Sequence, residues 1–206
     1  MNRKYFLLEL TIAIVIALAV ILARNSAFRQ NSQSTLDSSP DQTITESLTQ
    51  DCILTPQDSE GPYYIANVPF RDNLVPDDVV ADMLVISGRV LLKDCVTPVA
   101  NAILDIWHAD ENGYYQDKLY RGKVETSFDG SYDFTTVMPA PYGSGPAPRP
   151  RHIHYKVVKD SKELLTSQMY FDQELVSEVG QTRIVKLTET EKGMVGEFNI
   201  FVNELN

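Results

Sequence analysis

Arg149-Pro150-Arg151-His152-Ile153-His154-Tyr155 holds two of the three histidines in the chain, one residue apart. Its reading decides how the rest of the sequence is placed. With the residues that follow it, the run from His152 to Val158 has the composition of a β-strand. Successive strand side chains alternate faces, so His152 and His154 point to the same side. Residues two apart on a strand lie about 7 Å from one another, and a modest bend or twist lets two imidazoles share one metal ion. Taken alone, the pair fits a metal site and a solvated polar face equally well.

Working outward, other strand signals recur at short intervals. Met83 to Leu92 is a β-branched run, and Ala100 to Trp107 (ANAILDIW) follows the turn Lys93-Asp94-Cys95-Val96-Thr97-Pro98. Asp110-Glu111-Asn112-Gly113 is a strong turn, Lys123 to Ser127 a short extended run, and Asp129-Gly130 another turn. Ser131 to Val137 (SYDFTTV) alternates with period two, and Leu164 to Phe171 and Val195 to Val202 have the same character. Asp172 to Val179 has room for one or two helical turns. Many short strands between turn residues, with no strand–helix alternation, predict an all-β fold. The expected architecture is a β-sandwich of short antiparallel strands with long functional loops.

Composition narrows the function classes. In 206 residues there is room for one domain with a full core. Acidic residues outnumber basic ones 28 to 18 and the formal charge is −10, which argues against a nucleic-acid surface because phosphate binding needs a basic stripe. The two cysteines, Cys52 and Cys95, form no CxxC, which rules out a zinc ribbon. In an oxidising compartment they can form a disulfide worth roughly 4 kcal/mol of chain entropy. No phosphate-binding glycine loop and no internal repeat is present.

The N-terminus reads as an address. Asn2-Arg3-Lys4 precedes a mostly apolar run from Tyr5 to Ala23 that is broken by Glu9. Residues 1–27 are expected to be a signal peptide or an N-terminal anchor, and either exports the domain. Membrane contact is expected only through that segment, if it is uncleaved. Residues 28–50, rich in Ser, Gln and Thr, are a polar linker, which leaves 51–206 for the folded domain.

Beyond the histidine pair, His108 follows Trp107 at a strand end, and Asp110, Glu111 and Asp129 are turn residues. Ten tyrosines stand against one tryptophan, and a strong Lewis acid turns a tyrosine into an anionic ligand. Tyr114 and Tyr115 follow the Gly113 turn, and Tyr142 sits in the Pro-rich loop Met138–Pro150. The segments TPQDSEGPYY, PVANAILDIWHADENGYY, TSFDGSYDFTTVMPAPY and RPRHIHY occur in this order. Together they resemble the intradiol ring-cleavage dioxygenases, the family of protocatechuate 3,4-dioxygenase and catechol 1,2-dioxygenase. The resemblance spans most of residues 52–171 and agrees with the sandwich expected from the strands.

What the resemblance implies is specific. Tyr115, Tyr142, His152 and His154 would be ligands of one Fe(III) ion, with the W-x5-G-x-Y spacing choosing Tyr115 over Tyr114. The donor set suits the ion: a hard ferric centre prefers anionic oxygen and imidazole, and two tyrosinates plus a hydroxide balance its charge. Arg149 would stabilise negative charge on a bound ring, Tyr142 would also act as a base, and Gln168 would be a pocket residue. Pro62 and Tyr63 would line the substrate site, with Trp107 packing nearby and His108 not a ligand. The partners are then a catechol-type small molecule and O2, with a homo-oligomer also possible. The reaction would cleave the ring between the hydroxylated carbons and give a muconate-type diacid. Two departures stand out. Ser127 replaces the family's Asp, with the expected loss of a local hydrogen bond, and residues 25–50 are too polar to build the N-terminal helical segment of catechol 1,2-dioxygenases. Two other readings remain: an exported β-sandwich binding module without chemistry, and a copper or zinc protein built on His108, His152 and His154.

Overall fold

A computed structural model of the chain describes residues 53–203 apart from 78, 80, 144–147 and 192. The expectations for residues 1–27 and 28–50 lie outside these residues. Among the described residues no helix is long and apolar enough to cross a membrane.

Among the described residues nine strands form two sheets: β1 Met83–Leu92, β2 Ile103–His108, β3 Arg121–Glu125, β4 Ser131–Val137, β5 His152–Lys159, β6 Lys162–Tyr170, β7 Lys186–Thr190, β8 Gly193–Glu197 and β9 Ile200–Val202. The first sheet runs β4-β1-β8-β7, with β9 also paired to β1, and the second runs β3-β2-β5-β6. Pairing is antiparallel throughout the second sheet, whereas β8 and β9 lie parallel to β1. The only helical structure described is a short run between β6 and β7, with α1 at Val176–Val179.

The core is the layer between the sheets. Leu84, Ile86, Val90 and Phe134 come from the first sheet, and Leu104, Ile106, Ile153, Tyr155, Val157 and Met169 from the second. Each set follows the two-residue period, so one face of every central strand is spent on apolar burial. On β5 that face carries Ile153, Tyr155 and Val157, which leaves His152 and His154 on the face turned away from the core layer.

The predicted bounds of β1 and β4 match the strands. Val195–Val202 is corrected: the run splits into β8 and β9 at Phe198-Asn199. A Cβ on Gly88 of β1 would meet the Phe198 carbonyl oxygen at 1.7 Å, so only glycine lets the chain cross there. The Phe198 amide bonds Ser87 O at 2.9 Å, and the Tyr132 hydroxyl donates to Phe198 O at 2.7 Å. β7 went unpredicted because this strand at the end of the sheet order is mostly exposed and carries no apolar alternation. Cys95 is disulfide-bonded. Cys52, the only other cysteine of the chain, lies outside the described residues.

Candidate metal centre

Cross-strand register assembles the site. His154 lies opposite Trp107 of β2 and Gln168 of β6, and His152 lies opposite Tyr170. All five side chains share the face of the second sheet turned away from the core layer. Trp107 stacks on His154 with ring centroids 5.0 Å apart and planes 5° from parallel, which fixes that imidazole's orientation.

Three loops cover this face. The segment 53–64 is held to β6 of this sheet by Asp58 N to Thr166 O at 2.9 Å, and to β9 of the first sheet by Thr55 N to Phe201 O at 3.0 Å. It brings Gly61, at φ +72°, against His154, where a Cβ would stand 3.2 Å from the ring. The second loop, 109–120, carries Tyr115. Buried Asp110 organises it by accepting from the backbone amides of Asn112 at 2.9 Å and Tyr114 at 2.8 Å, and from Gln116 Nε2 at 2.9 Å. Asp110 had read as an ordinary turn residue, and its D-x-N-G-Y context was the available signal. The third loop carries Tyr142 and Arg149, paired across a two-residue bridge by reciprocal backbone bonds of 3.2 and 2.8 Å. Loops two and three lock together at Gly113, where a Cβ would meet Pro141 O at 2.6 Å, and through Ala140 N to Asp110 O at 3.1 Å.

The four predicted ligand residues form a closed circuit of rings. Centroids are 4.7 Å apart for His152–His154, 5.4 Å for Tyr142–His152, 5.1 Å for Tyr115–Tyr142 and 6.2 Å for Tyr115–His154. The Nε2 atoms of His152 and His154 face each other at 3.1 Å. His152 Nδ1 lies 2.6 Å from Pro150 O, a pure acceptor, so Nδ1 holds the proton. That leaves Nε2 as a lone pair aimed into the circuit. Burial holds both rings neutral, with His152 lowered to about 4 and His154, which also feels His152, to about 2. The buried Tyr115 hydroxyl has no hydrogen-bond partner among the described residues, and burial raises its pKa strongly. Among the described residues His154 Nδ1 has no well-formed hydrogen bond; the Ser59 backbone lies beside the ring and favours a proton on it.

The buried Tyr115 phenol is orphaned as it stands, and the two converging imidazole Nε2 atoms have only each other as partners. A hard cation bound by phenolate oxygen and imidazole nitrogen would satisfy them all, and the residues fit a ferric ion. Zinc or copper on three histidines does not fit. His108 shares the core-side face with Leu104 and Ile106, and its Nδ1 donates to Ala109 O at 2.7 Å while Nε2 accepts from Thr136 Oγ1 at 2.6 Å. Among the described residues no group of three His, Cys, Asp or Glu side chains could hold a metal.

The remaining predicted residues surround the circuit. Arg149 Nη1 stands 3.4 Å from the Tyr142 hydroxyl, and Nη2 donates to Gln168 Oε1 at 2.8 Å. Gln168, fully buried, donates to Ser59 O at 2.9 Å. Tyr63 stacks on Tyr115 at 4.1 Å, lies edge-on to Tyr142 at 6.0 Å, and is 41 % exposed, so it forms the outer wall, beside exposed Pro62. The sequence reading passed over Arg121, buried and donating to Gln116 O at 3.0 Å and Tyr63 O at 2.7 Å, which ties the first two loops together. Ser127 makes rather than loses a bond, donating to Asp129 Oδ1 at 2.6 Å.

The model of the family described as Dioxygenase matches residues 59–201. The chain is 36 % identical over 141 residues to catechol 1,2-dioxygenase 1 of Acinetobacter lwoffii, covering 55 % of this chain and 45 % of that protein. It is 35 % identical over 136 residues to a chlorocatechol 1,2-dioxygenase of Pseudomonas sp. strain P51, covering 55 % and 54 %. It thus spans about half the length of these relatives. Among solved structures, the dioxygenase domain of a dioxygenase carbohydrate-binding protein fusion from Streptomyces sp. SirexAA-E superposes with a TM-score of 0.64 at 30 % identity, over 74 % of this chain and 100 % of that one. An intradiol ring-cleavage dioxygenase from Tetranychus urticae shares the fold at TM-score 0.64 and 22 % identity, over 75 % and 97 %.

Proposed function

The chain belongs to the intradiol ring-cleavage dioxygenase family, and from that premise we propose that it opens the ring of a catechol between its two hydroxylated carbons, using Fe(III) and O2. The carbon–carbon bond breaks, each carbon gains one oxygen atom of O2, and a muconate-type diacid results with no external reductant. The observation that carries the reading is the closed circuit of Tyr115, Tyr142, His152 and His154, with its orphaned phenol and facing Nε2 atoms. Those four residues would hold the ion. When bound, it supplies Lewis acidity that lowers the pKa of a catechol's hydroxyls and activates the ring toward O2.

The chain's own residues do the rest. Tyr142, half-buried and facing Arg149, is placed to take a proton from a catechol hydroxyl at its Oη. Arg149 is always charged and stabilises negative charge that develops on the ring. Gln168 holds the guanidinium in place, and Tyr63 with Pro62 covers the open side. Neutral imidazoles keep lone pairs for the metal without competing protons.

Residues 1–27 would export the domain, and the disulfide at Cys95 supports an oxidising compartment. Oxygen uptake with a panel of catechols, joined to identification of a ring-opened diacid, tests the function. Uptake of one O2 per ring opened is expected, and no uptake by iron-loaded protein with any of them would reject it.

A further inference from the structure

Behind Arg149 a chain of side chains continues away from the metal circuit. Gln168 Oε1 accepts from Arg149 Nη2 at 2.8 Å and also faces the Tyr170 hydroxyl at 3.0 Å. That hydroxyl stands 2.9 Å from Asp58 Oδ2, and the Arg183 guanidinium bonds the same carboxylate oxygen. Gln168 cannot be turned over, because Nε2 must donate to Ser59 O at 2.9 Å while Oε1 must accept from Arg149. Tyr170 therefore holds one proton between two acceptors. A free carboxylate would win it, but Arg183 already occupies Asp58 Oδ2, weakening the carboxylate as an acceptor toward Tyr170.

We propose that Tyr170, backed by Asp58 and Arg183, is a positioning residue that fixes the Gln168 carbonyl and through it aims Arg149 at Tyr142. The assignment rests on reading the circuit as a catechol-cleaving centre. It joins the loop 53–64, the last turn before β7 and β6 into one support for a single guanidinium. Tyr170 is 4 % exposed and Gln168 fully buried, so the bonds are shielded from water and hold geometry instead of exchanging with solvent. Arg183 also donates to Val179 O and packs over the Tyr170 ring at 5.6 Å, which anchors the far end. The Tyr170 ring also lies 5.9 Å from the His152 ring, a contact that Tyr170→Phe keeps, so what the hydroxyl adds reaches the site through Gln168 and Arg149.

Tyr170→Phe removes the hydroxyl and keeps the ring. In metal-free protein labelled with 15N-arginine, the Arg149 guanidinium protons are expected to exchange with water about tenfold faster in the variant, the loss of roughly one hydrogen bond. In iron-loaded enzyme, kcat for catechol falls about tenfold with KM within about twofold, and Tyr170→Phe adds no further loss in a Gln168→Ala background. Arg183→Gln, which frees the Asp58 carboxylate to take the Tyr170 proton from Gln168, moves both readouts the same way and serves if Tyr170→Phe does not fold. Unchanged Arg149 exchange in both variants overturns the proposal, as does an equal loss of kcat with and without Gln168. If no catechol is turned over by wild type, the functional reading fails while the exchange measurement still decides the positioning role.

Discussion

His108 and His154 are both buried imidazoles on neighbouring strands, yet they face opposite sides of one sheet. His108, on the core-side face, has both nitrogens satisfied, by Ala109 O and Thr136 Oγ1. His154, on the loop-covered face, stacks on Trp107, has no well-formed hydrogen bond at Nδ1 among the described residues, and meets the other neutral imidazole at Nε2. The two faces divide labour. On the core side the His108 ring is satisfied by protein groups, and on the loop-covered side the His154 ring has the donor capacity that the proposed metal would use. Burial alone therefore does not separate the two histidines; what separates them is which face of the sheet they occupy and which groups meet their ring nitrogens.

The contrast can be broken most sharply by truncating each ring. His154→Ala should abolish oxygen uptake by more than the roughly 10–100-fold that losing a metal's outer partner costs, with little change in unfolding free energy. His108→Ala should do the reverse, costing about 2–4 kcal/mol in urea unfolding by leaving a cavity and an unpaired Thr136 hydroxyl. Equal stability loss in the two variants would erase the distinction between the faces.

Acid should act on the closed face as well. Burial lowers His108 to about 4 in the folded state, against about 6.5 unfolded, so the unfolded chain takes the proton first. Stability is full above pH 6.5 and is lost as pH falls from 6.5 to 4, by up to about 3 kcal/mol from this group. Urea midpoints of wild type and His108→Gln, measured between pH 7 and 4, should converge on acidification, because an amide cannot charge. Parallel curves would show that His108 does not titrate.

A smaller effect is expected at the edge of the loop cover. The Lys156 ammonium bridges Glu60 and Glu163 and sits 4.1 Å above the Tyr64 ring, clipping the loop 53–64 to β5. Lys156→Gln should cost about 0.5–1 kcal/mol, shrinking as salt is added, because both carboxylates are partly exposed. A salt-independent loss in chemical denaturation would assign the effect to packing.

How much of this was legible in the sequence follows from distance along the chain. Local patterns fixed β1, β4 and the shared face of His152 and His154, because alternation is written in adjacent residues. The break between β8 and β9 was not legible, because it depends on Gly88 meeting Phe198 over a hundred positions away. Tyr115 and Tyr142 could be chosen only through resemblance, since nothing local distinguishes a ligand tyrosine from a packing one. The supports were hidden for the same reason. Asp58, Tyr170 and Arg183 meet from three separate elements, and Arg121 joins two loops that share no sequence pattern.

The central claim is that Tyr115, Tyr142, His152 and His154 bind one ferric ion. Its most direct test is visible absorption during titration of metal-free protein with Fe(III), in wild type, Tyr115→Phe and Tyr142→Phe. Two tyrosinates on iron predict a red-brown colour that saturates at one ion per chain and shifts in each single variant. Iron bound at one per chain without colour, or a band unchanged in both variants, would contradict it.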